Sequence, residues 1–195
     1  MEHRLIIILD PAHGSDVMGK ASPDGSHREY VWSRHICKLL SEALESQGYE
    51  VYFTNTQDIE IGLTRRQKIA NEIKCPVGYK KLLISPHNNA AGSEGKWLKA
   101  TGYEVWTSKG TTSSDKYAQI FLENLKEDFP KYKSRGLKES NFTVLMGNTY
   151  SAILLEWMFQ DNLEDVGVLK DDKVNGSLVN SLVKSINQID KTLQP

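Results

Sequence analysis

The chain has 195 residues, of which 39% are hydrophobic and 25% charged, values that fit one globular domain with a sizeable core. Its 24 basic and 25 acidic residues nearly cancel and no Lys/Arg-rich block stands out, so we expect no nucleic-acid partner. Two cysteines far apart in sequence argue against a secreted disulfide scaffold, and the apolar runs are too short to cross a membrane.

Short apolar runs alternate with helical patterns along the chain. The first run, Leu5 to Leu9, is β-branched at its centre and ends at an Asp-Pro turn, so it predicts a buried strand. Six strands are predicted, over residues 5–9, 50–53, 81–85, 103–107, 142–145 and 152–155. Four helices are predicted, over residues 29–46, 63–73, 115–129 and 174–189. This order predicts a single α/β domain over residues 1–195, with a mostly parallel twisted sheet and helices on both faces.

Residues suited to metal chemistry lie next to these predicted strands. His13 follows the first strand, His87 follows the third, and Glu156 comes directly after the apolar residues of the last, while Glu29 begins the first helix. In open α/β sheets, functional groups collect at the carboxyl ends of strands. Two imidazoles and one carboxylate form a catalytic zinc set that leaves a fourth position for water. A further carboxylate near that water can act as general base.

Each of these residues also has a structural interpretation. A single His after a strand is more often a hydrogen-bonded loop residue than a ligand. Ser26 to Glu29 matches a capping box, in which Glu29 would return to the helix N-terminus. Glu156 sits in an apolar strand and needs a partner for its charge, which a salt bridge to Arg135 would supply. His27, two residues before Glu29, is a competing ligand. Spacing alone leaves these alternatives open.

Four motifs stand in order along nearly the whole chain. They are Asp10-Pro11-Ala12-His13-Gly14, Glu29, Ser85-Pro86-His87-Asn88-Asn89-Ala90 and Leu154-Leu155-Glu156-Trp157-Met158-Phe159. Weaker matches accompany them, an Arg-x-x-x-Ala-Asn helix ending at Asn71, a Gly-x-Glu-Val-aromatic strand ending at Trp106 and an Arg-Gly-x-Lys segment ending at Lys138. Together they resemble the zinc N-acetylmuramoyl-L-alanine amidases of the amidase-3 type, which include cell-separation amidases and phage endolysins.

The resemblance implies that His13, Glu29 and His87 bind Zn²⁺ and that Glu156 is the catalytic carboxylate. Three positions depart from the family pattern, which usually has glycine at Ala12, an aliphatic residue at Pro86 and often alanine at Asn88. None of the three removes a ligand, but Pro86 is expected to fix the backbone before His87 and to shift that loop.

Two further residues are candidates for the site. Asn89 is a candidate for orienting His87 or its loop, with a plain turn residue as the alternative. Arg135 is a candidate contact for a substrate carboxylate or lactyl oxygen, with a surface or structural role as the alternative.

The resemblance implies hydrolysis of the amide bond between N-acetylmuramic acid and L-alanine in bacterial peptidoglycan. Two other functions stay open, a zinc peptidase that cuts within the stem peptide and a non-catalytic wall-binding module. We expect a monomer that acts on the cell wall and has no membrane partner. The sequence shows no signal-peptide pattern, which favours a phage-type lysin made in the cytoplasm. The alternative is a bacterial amidase whose export signal or extra domains lie outside this sequence.

Overall fold

A computed structural model of the chain, which describes residues 3–92, 95–147 and 149–194, contains one six-stranded sheet flanked by helices. The strands are β1 (Leu5–Leu9), β2 (Val51–Phe53), β3 (Lys80–Asn89), β4 (Tyr103–Thr107), β5 (Ser134–Glu139) and β6 (Ser151–Phe159). The helices are α1 (Glu29–Glu45), α2 (Leu63–Glu72), α3 (Ser113–Asp128), α4 (Leu163–Leu169) and α5 (Asp172–Lys191), with a 3-10 helix over Thr143–Leu145. None of the helices in the described part of the chain is long and apolar enough to cross a membrane.

The strand order is β2-β1-β3-β6-β4-β5, and among the described strand pairs β4 with β6 is antiparallel while the others are parallel. The predicted α/β class, with a mostly parallel six-stranded sheet and helices on both faces, is confirmed. β1, β3 and β6 run in the same direction, so their carboxyl ends meet at one edge of the sheet. This edge is where the predicted ligands lie.

The prediction of a strand over residues 142–145 is wrong. Val144 and Leu145 are buried in the 3-10 helix, where they pack against the sheet instead of joining it. The sheet instead contains β5, which the sequence analysis missed. Its sequence holds a glycine and charged residues, so it shows no apolar run. Helix α4 was also missed. It has only seven residues, too few to show a repeating apolar pattern, and follows the N-cap residue Asn162, whose side chain caps the first turn.

The core is divided between the two faces of the sheet because strand side chains alternate. Leu5, Ile7 and Leu9 of β1 pack in a large cluster with apolar residues of α1, α3 and α5. Ile8 points the other way and packs in a smaller cluster with residues of α2 and the 3-10 helix, including Ala70. The second face is therefore covered by fewer helices than the first.

A β-bulge follows Glu156 in the last strand. His87 of β3 pairs with Glu156, but Asn89 pairs with Phe159, so β6 has one extra residue. Met158 adopts the left-handed backbone conformation there, with φ of 59°. Trp157 and Met158 consequently both enter the large core cluster. The regular alternation of β6 thus ends immediately after Glu156.

Candidate metal centre

Three side chains converge at the carboxyl ends of β1 and β3. His13 comes from the loop after β1, His87 from β3 and Glu29 from the first residue of α1, and one ligand atom of each lies within 4.8 Å of the others. His13 Nε2 is 3.2 Å from Glu29 Oε2, and His87 Nδ1 is 2.9 Å from Glu29 Oε1. Two imidazole nitrogens and one carboxylate are a donor set that suits zinc. The residues present therefore fit a zinc ion.

Glu29 lies at the centre of this cluster and is 1% exposed. The capping-box interpretation is wrong, because the N-cap of α1 is Arg28 without a side-chain cap and both Glu29 oxygens face the imidazoles. The backbone N–H of Asn88 also donates to Glu29 Oε1, at 3.1 Å. Burial by itself would raise the pKa of Glu29, but the hydrogen bonds and charges of His13 and His87 outweigh it and hold that pKa well below its ordinary value. Glu29 is accordingly an ionised carboxylate, as a metal ligand must be.

The loop that presents His13 has a constrained backbone. His13 has φ of 54°, a left-handed conformation that is uncommon outside glycine. Its carbonyl accepts hydrogen bonds from Arg66 Nη2 at 2.9 Å and Arg34 Nη2 at 3.0 Å. A Cβ on the next residue, Gly14, would lie 2.1 Å from the backbone nitrogen of Glu60, so this position accepts only glycine without movement of the chain. Two arginines and a close backbone contact thus hold the turn that aims His13.

Glu156 lies on the same side of the sheet as His87 and faces the same cleft. Its Oε2 is buried and has no hydrogen-bond partner among the described residues. Burial raises the pKa of Glu156 to about 7, opposed by the charge of His87 and assisted by the charges of Glu29 and Glu104. The sequence analysis considered a salt bridge between Glu156 and Arg135. This interpretation is wrong, because Arg135 pairs with Glu104 instead.

The cleft beside these residues has a volume of about 490 Å³, a size typical of small-molecule and peptide sites. The three converging side chains and Glu156 line it, together with other residues that include Lys20 and Phe142. The arrangement brings three candidate metal ligands into one cleft with a carboxylate whose Oε2 has no partner within the described ranges.

Comparison with known proteins places the chain in a family. Residues 7–188 match the sequence profile of the family described as N-acetylmuramoyl-L-alanine amidase. The chain belongs to this family. A solved N-acetylmuramoyl-L-alanine amidase from Clostridium difficile 630 has a TM-score of 0.84 with the chain at 28% identity, over 96% of this chain and 97% of that one.

Two relatives similar to this chain are longer than it. The N-acetylmuramoyl-L-alanine amidase CwlM of Bacillus licheniformis is 28% identical over 187 residues, which are 93% of this chain and 68% of the relative. The endolysin of Bacillus phage SPP1 is 26% identical over 188 residues, which are 94% of this chain and 65% of the relative. The chain thus spans about two thirds of these two proteins.

Two of the departures from the amidase-family pattern, Pro86 and Asn88, lie in β3 and make contacts there. Pro86 was expected to shift the loop before His87, but it lies inside β3 and pairs with Leu155. Proline cannot donate to the sheet, and the carbonyl of Pro86 accepts a hydrogen bond from Ser33 Oγ at 2.5 Å. Asn88 is buried, and its Nδ2 donates to the carbonyl of Trp157 at 2.8 Å. These contacts tie the strand that carries His87 to α1 and to β6.

The other candidate residues lie outside the cluster. Asn89 lines the cleft, and its Oδ1 accepts a hydrogen bond from the N–H of Ala90 at 2.8 Å, as a turn residue does. Arg135 is in an ion pair with Glu104. His27 binds Asn88 Oδ1 through Nε2 at 2.8 Å rather than joining the two other imidazoles. The candidate metal ligands among the described residues are therefore His13, Glu29 and His87.

Sequence reasoning missed the polar residues that support the cluster. They are buried or partly buried side chains in hydrogen-bonding contact with the ligands or with the ligand loops: Asp10, Ser85, Asn88, Gln160, Arg34 and Arg66. The sequence contained only a weak signal for these supporting residues. Asp10 and Ser85 each end or interrupt an apolar strand, where a buried polar group needs a partner, but the sequence does not indicate which partner.

Proposed function

We propose that this protein is a zinc-dependent amidase that hydrolyses the bond between N-acetylmuramic acid and L-alanine in bacterial peptidoglycan. One observation carries the proposal: His13, Glu29 and His87 converge within 4.8 Å in a cleft that also contains Glu156, whose Oε2 has no hydrogen-bond partner among the described residues. Membership of the amidase family supports the choice of bond. In this proposal residues 1–195 form one catalytic domain, which acts as a monomer on the cell wall.

His13, Glu29 and His87 would hold Zn²⁺, which when bound lowers the pKa of a coordinated water and polarises a carbonyl group. Glu156 accepts the proton of the attacking water at its free Oε2 and delivers it to the departing nitrogen of L-alanine. A carboxyl group with a pKa of about 7 both takes up and releases a proton readily near neutral pH. The hydrogen bonds and charges of His13 and His87 hold the pKa of Glu29 low, which keeps this second carboxylate ionised and unavailable for proton transfer.

Glu156→Gln tests the role of the proposed base. We expect hydrolysis of purified cell walls, measured as release of new amino groups, to fall roughly 10²–10⁴-fold because the amide cannot accept the proton. Glu164→Gln is the matched control, since Glu164 is an exposed residue of α4. Wild-type rates in Glu156→Gln would remove Glu156 from the mechanism.

Metal analysis tests the proposed ligands. His13→Ala and His87→Ala should each purify with much less zinc than the wild-type protein, because each removes one of three donors. His35→Ala, which alters an exposed imidazole on α1, should keep its zinc. Stoichiometric zinc in both ligand variants would contradict the assignment.

Mass spectrometry of the products tests the bond that is cut. The proposed amidase releases intact stem peptides that begin at L-alanine. A zinc peptidase acting within the stem peptide would release shortened peptides instead, and a wall-binding module would release none.

A further inference from the structure

Lys20 is held beside the cleft by the segment that leads into α1. The backbone N–H of Glu29 donates to the carbonyl of Lys20 at 3.0 Å. Next to this bond, Ala21 and Arg28 pair in an antiparallel bridge. Residues 20–29 therefore form a closed ribbon whose base ties the backbone of Lys20 to the first residue of α1.

Lys20 differs from the other long basic side chain that lines the cleft. Arg66 is 1% exposed, and its guanidinium group is paired with Asp10 and Glu60. Lys20 is exposed, and its side chain makes no ion pair or hydrogen bond with any residue that the structure describes. Of the two, Lys20 is thus the one whose positive charge is available to a ligand in the cleft.

The charge of Lys20 also acts on the proposed proton carrier. Burial raises the pKa of Glu156, and the positive charge of Lys20 opposes this rise. Both side chains line the same cleft. A lysine side chain is long and flexible and ends in a compact charge. A ligand bound over Glu156 is therefore within the field of Lys20 and close to its reach.

The proposed substrate carries a carboxyl group near the bond that is cut. In peptidoglycan the residue after L-alanine is D-glutamate, whose α-carboxyl group is a free carboxylate in some walls and a carboxamide in others. The Cα atom of this residue is at most about 5 Å from the L-alanine nitrogen, because an N–Cα bond spans about 1.5 Å and consecutive Cα atoms are about 3.8 Å apart. A carboxylate there would be repelled by Glu156 whenever Glu156 is ionised, unless a positive charge lies beside it.

We propose that Lys20 determines substrate specificity by binding the α-carboxylate of the D-glutamate residue that follows L-alanine in the stem peptide. The inference rests on the proposed function, which places the L-alanine nitrogen at Glu156. Arg135, the candidate for a carboxylate contact from the sequence, is already in an ion pair with Glu104. Lys20 instead offers an unpaired ammonium group at the cleft itself.

Two purified wall preparations that differ only in this group, α-carboxylate or carboxamide, test the proposal. We expect the wild-type protein to release stem peptides roughly 3–10-fold faster, as kcat/KM, from the carboxylate walls at low salt. The preference should shrink as salt is added, because salt screens the exposed charge. Lys20→Met should act on the two preparations at similar rates, whereas Lys20→Arg, which keeps the charge, should keep the preference.

Lys116→Met is the matched control, because Lys116 is an exposed lysine of α3. It should keep the wild-type preference. Binding is measured separately, by cosedimentation of Glu156→Gln protein with the two wall preparations. This protein should bind the carboxylate walls more tightly, and the added substitution Lys20→Met should abolish the difference.

Equal wild-type rates on the two preparations would overturn the proposal, and so would a preference that persists in Lys20→Met. Failure of the proposed function has a different signature. If binding prefers the carboxylate walls through Lys20 but the wild-type protein releases no stem peptides that begin at L-alanine, the role of Lys20 is supported and the amidase function is contradicted.

Discussion

Replacing Glu156 by glutamine should make the metal-free protein more stable at about pH 8, even though it removes the proposed base. Burial raises the pKa of Glu156 from its ordinary value of 4.5 to about 7. In the interval between these two values the native state holds the proton more tightly than the unfolded chain does. The free energy of unfolding therefore falls as pH rises through this interval, and the loss is complete above about pH 7. Glutamine has no charge to bury, so the free energy of unfolding of the variant does not fall in this way.

The magnitude follows from the size of the pKa shift. About 2.5 pKa units at 1.36 kcal/mol each set an upper bound of about 3 kcal/mol. The side chain of Glu156 keeps some contact with solvent, so screening reduces the expected gain to roughly 1–2 kcal/mol. In a chain of this size 1 kcal/mol moves the Tm by about 2–4 °C, so the variant should melt roughly 2–8 °C above the wild-type protein.

The assay compares urea unfolding of the two proteins in a chelator at a series of pH values from about 4.5 to 8. The difference between their free energies of unfolding isolates Glu156, since other groups titrate similarly in both. That difference should grow with pH, whereas the difference between Glu164→Gln and the wild-type protein should stay flat. A Glu156→Gln advantage that does not change with pH would refute the reasoning. In zinc-loaded protein the positive charge should offset the burial of Glu156 and reduce the pH dependence.

Three other substitutions test the packing around the site. Arg66→Ala leaves the buried carboxylate of Asp10 without its ion pair and should lower the free energy of unfolding by about 3–5 kcal/mol, measured by urea unfolding. Gly14→Ala places a Cβ against the backbone of Glu60 and should cost about 1–3 kcal/mol while also weakening zinc binding, measured by titration with a chromophoric chelator. Trp157→Ala empties a fully buried core position and should cost about 3–5 kcal/mol with the wild-type zinc affinity retained. Unchanged unfolding midpoints would contradict each of these.

Much of the fold was predictable because most of its strands are continuous apolar runs. The candidate site was only partly predictable. From spacing alone, Glu29 fitted a capping box as well as a metal site. The direction of the first side chain of a helix depends on which loops lie beside it, and spacing does not show this. The resemblance to the amidases selected Glu29, and in the structure its carboxylate contacts His13 and His87. The contacts of Ser85 could not be predicted from the sequence, because Asp10 and His87 both contact it only when β1 and β3 lie side by side. Strand β5 was missed because pairing with β4, rather than an apolar pattern, makes it a strand.

The uneven covering of the sheet explains why two carboxylates in one cleft differ so much in pKa. Leu154 belongs to the smaller apolar cluster, and Glu156, two residues later, lies on the same face where that cluster ends. Glu156 is largely buried there, its Oε2 has no hydrogen-bond donor in the described part of the chain, and its pKa rises. Glu29 is buried more deeply, but two imidazoles and a backbone N–H face its oxygens, and its pKa falls. Opposite shifts in neighbouring carboxyl groups separate an ionised ligand from a proton carrier, which supports the proposed division of roles between Glu29 and Glu156.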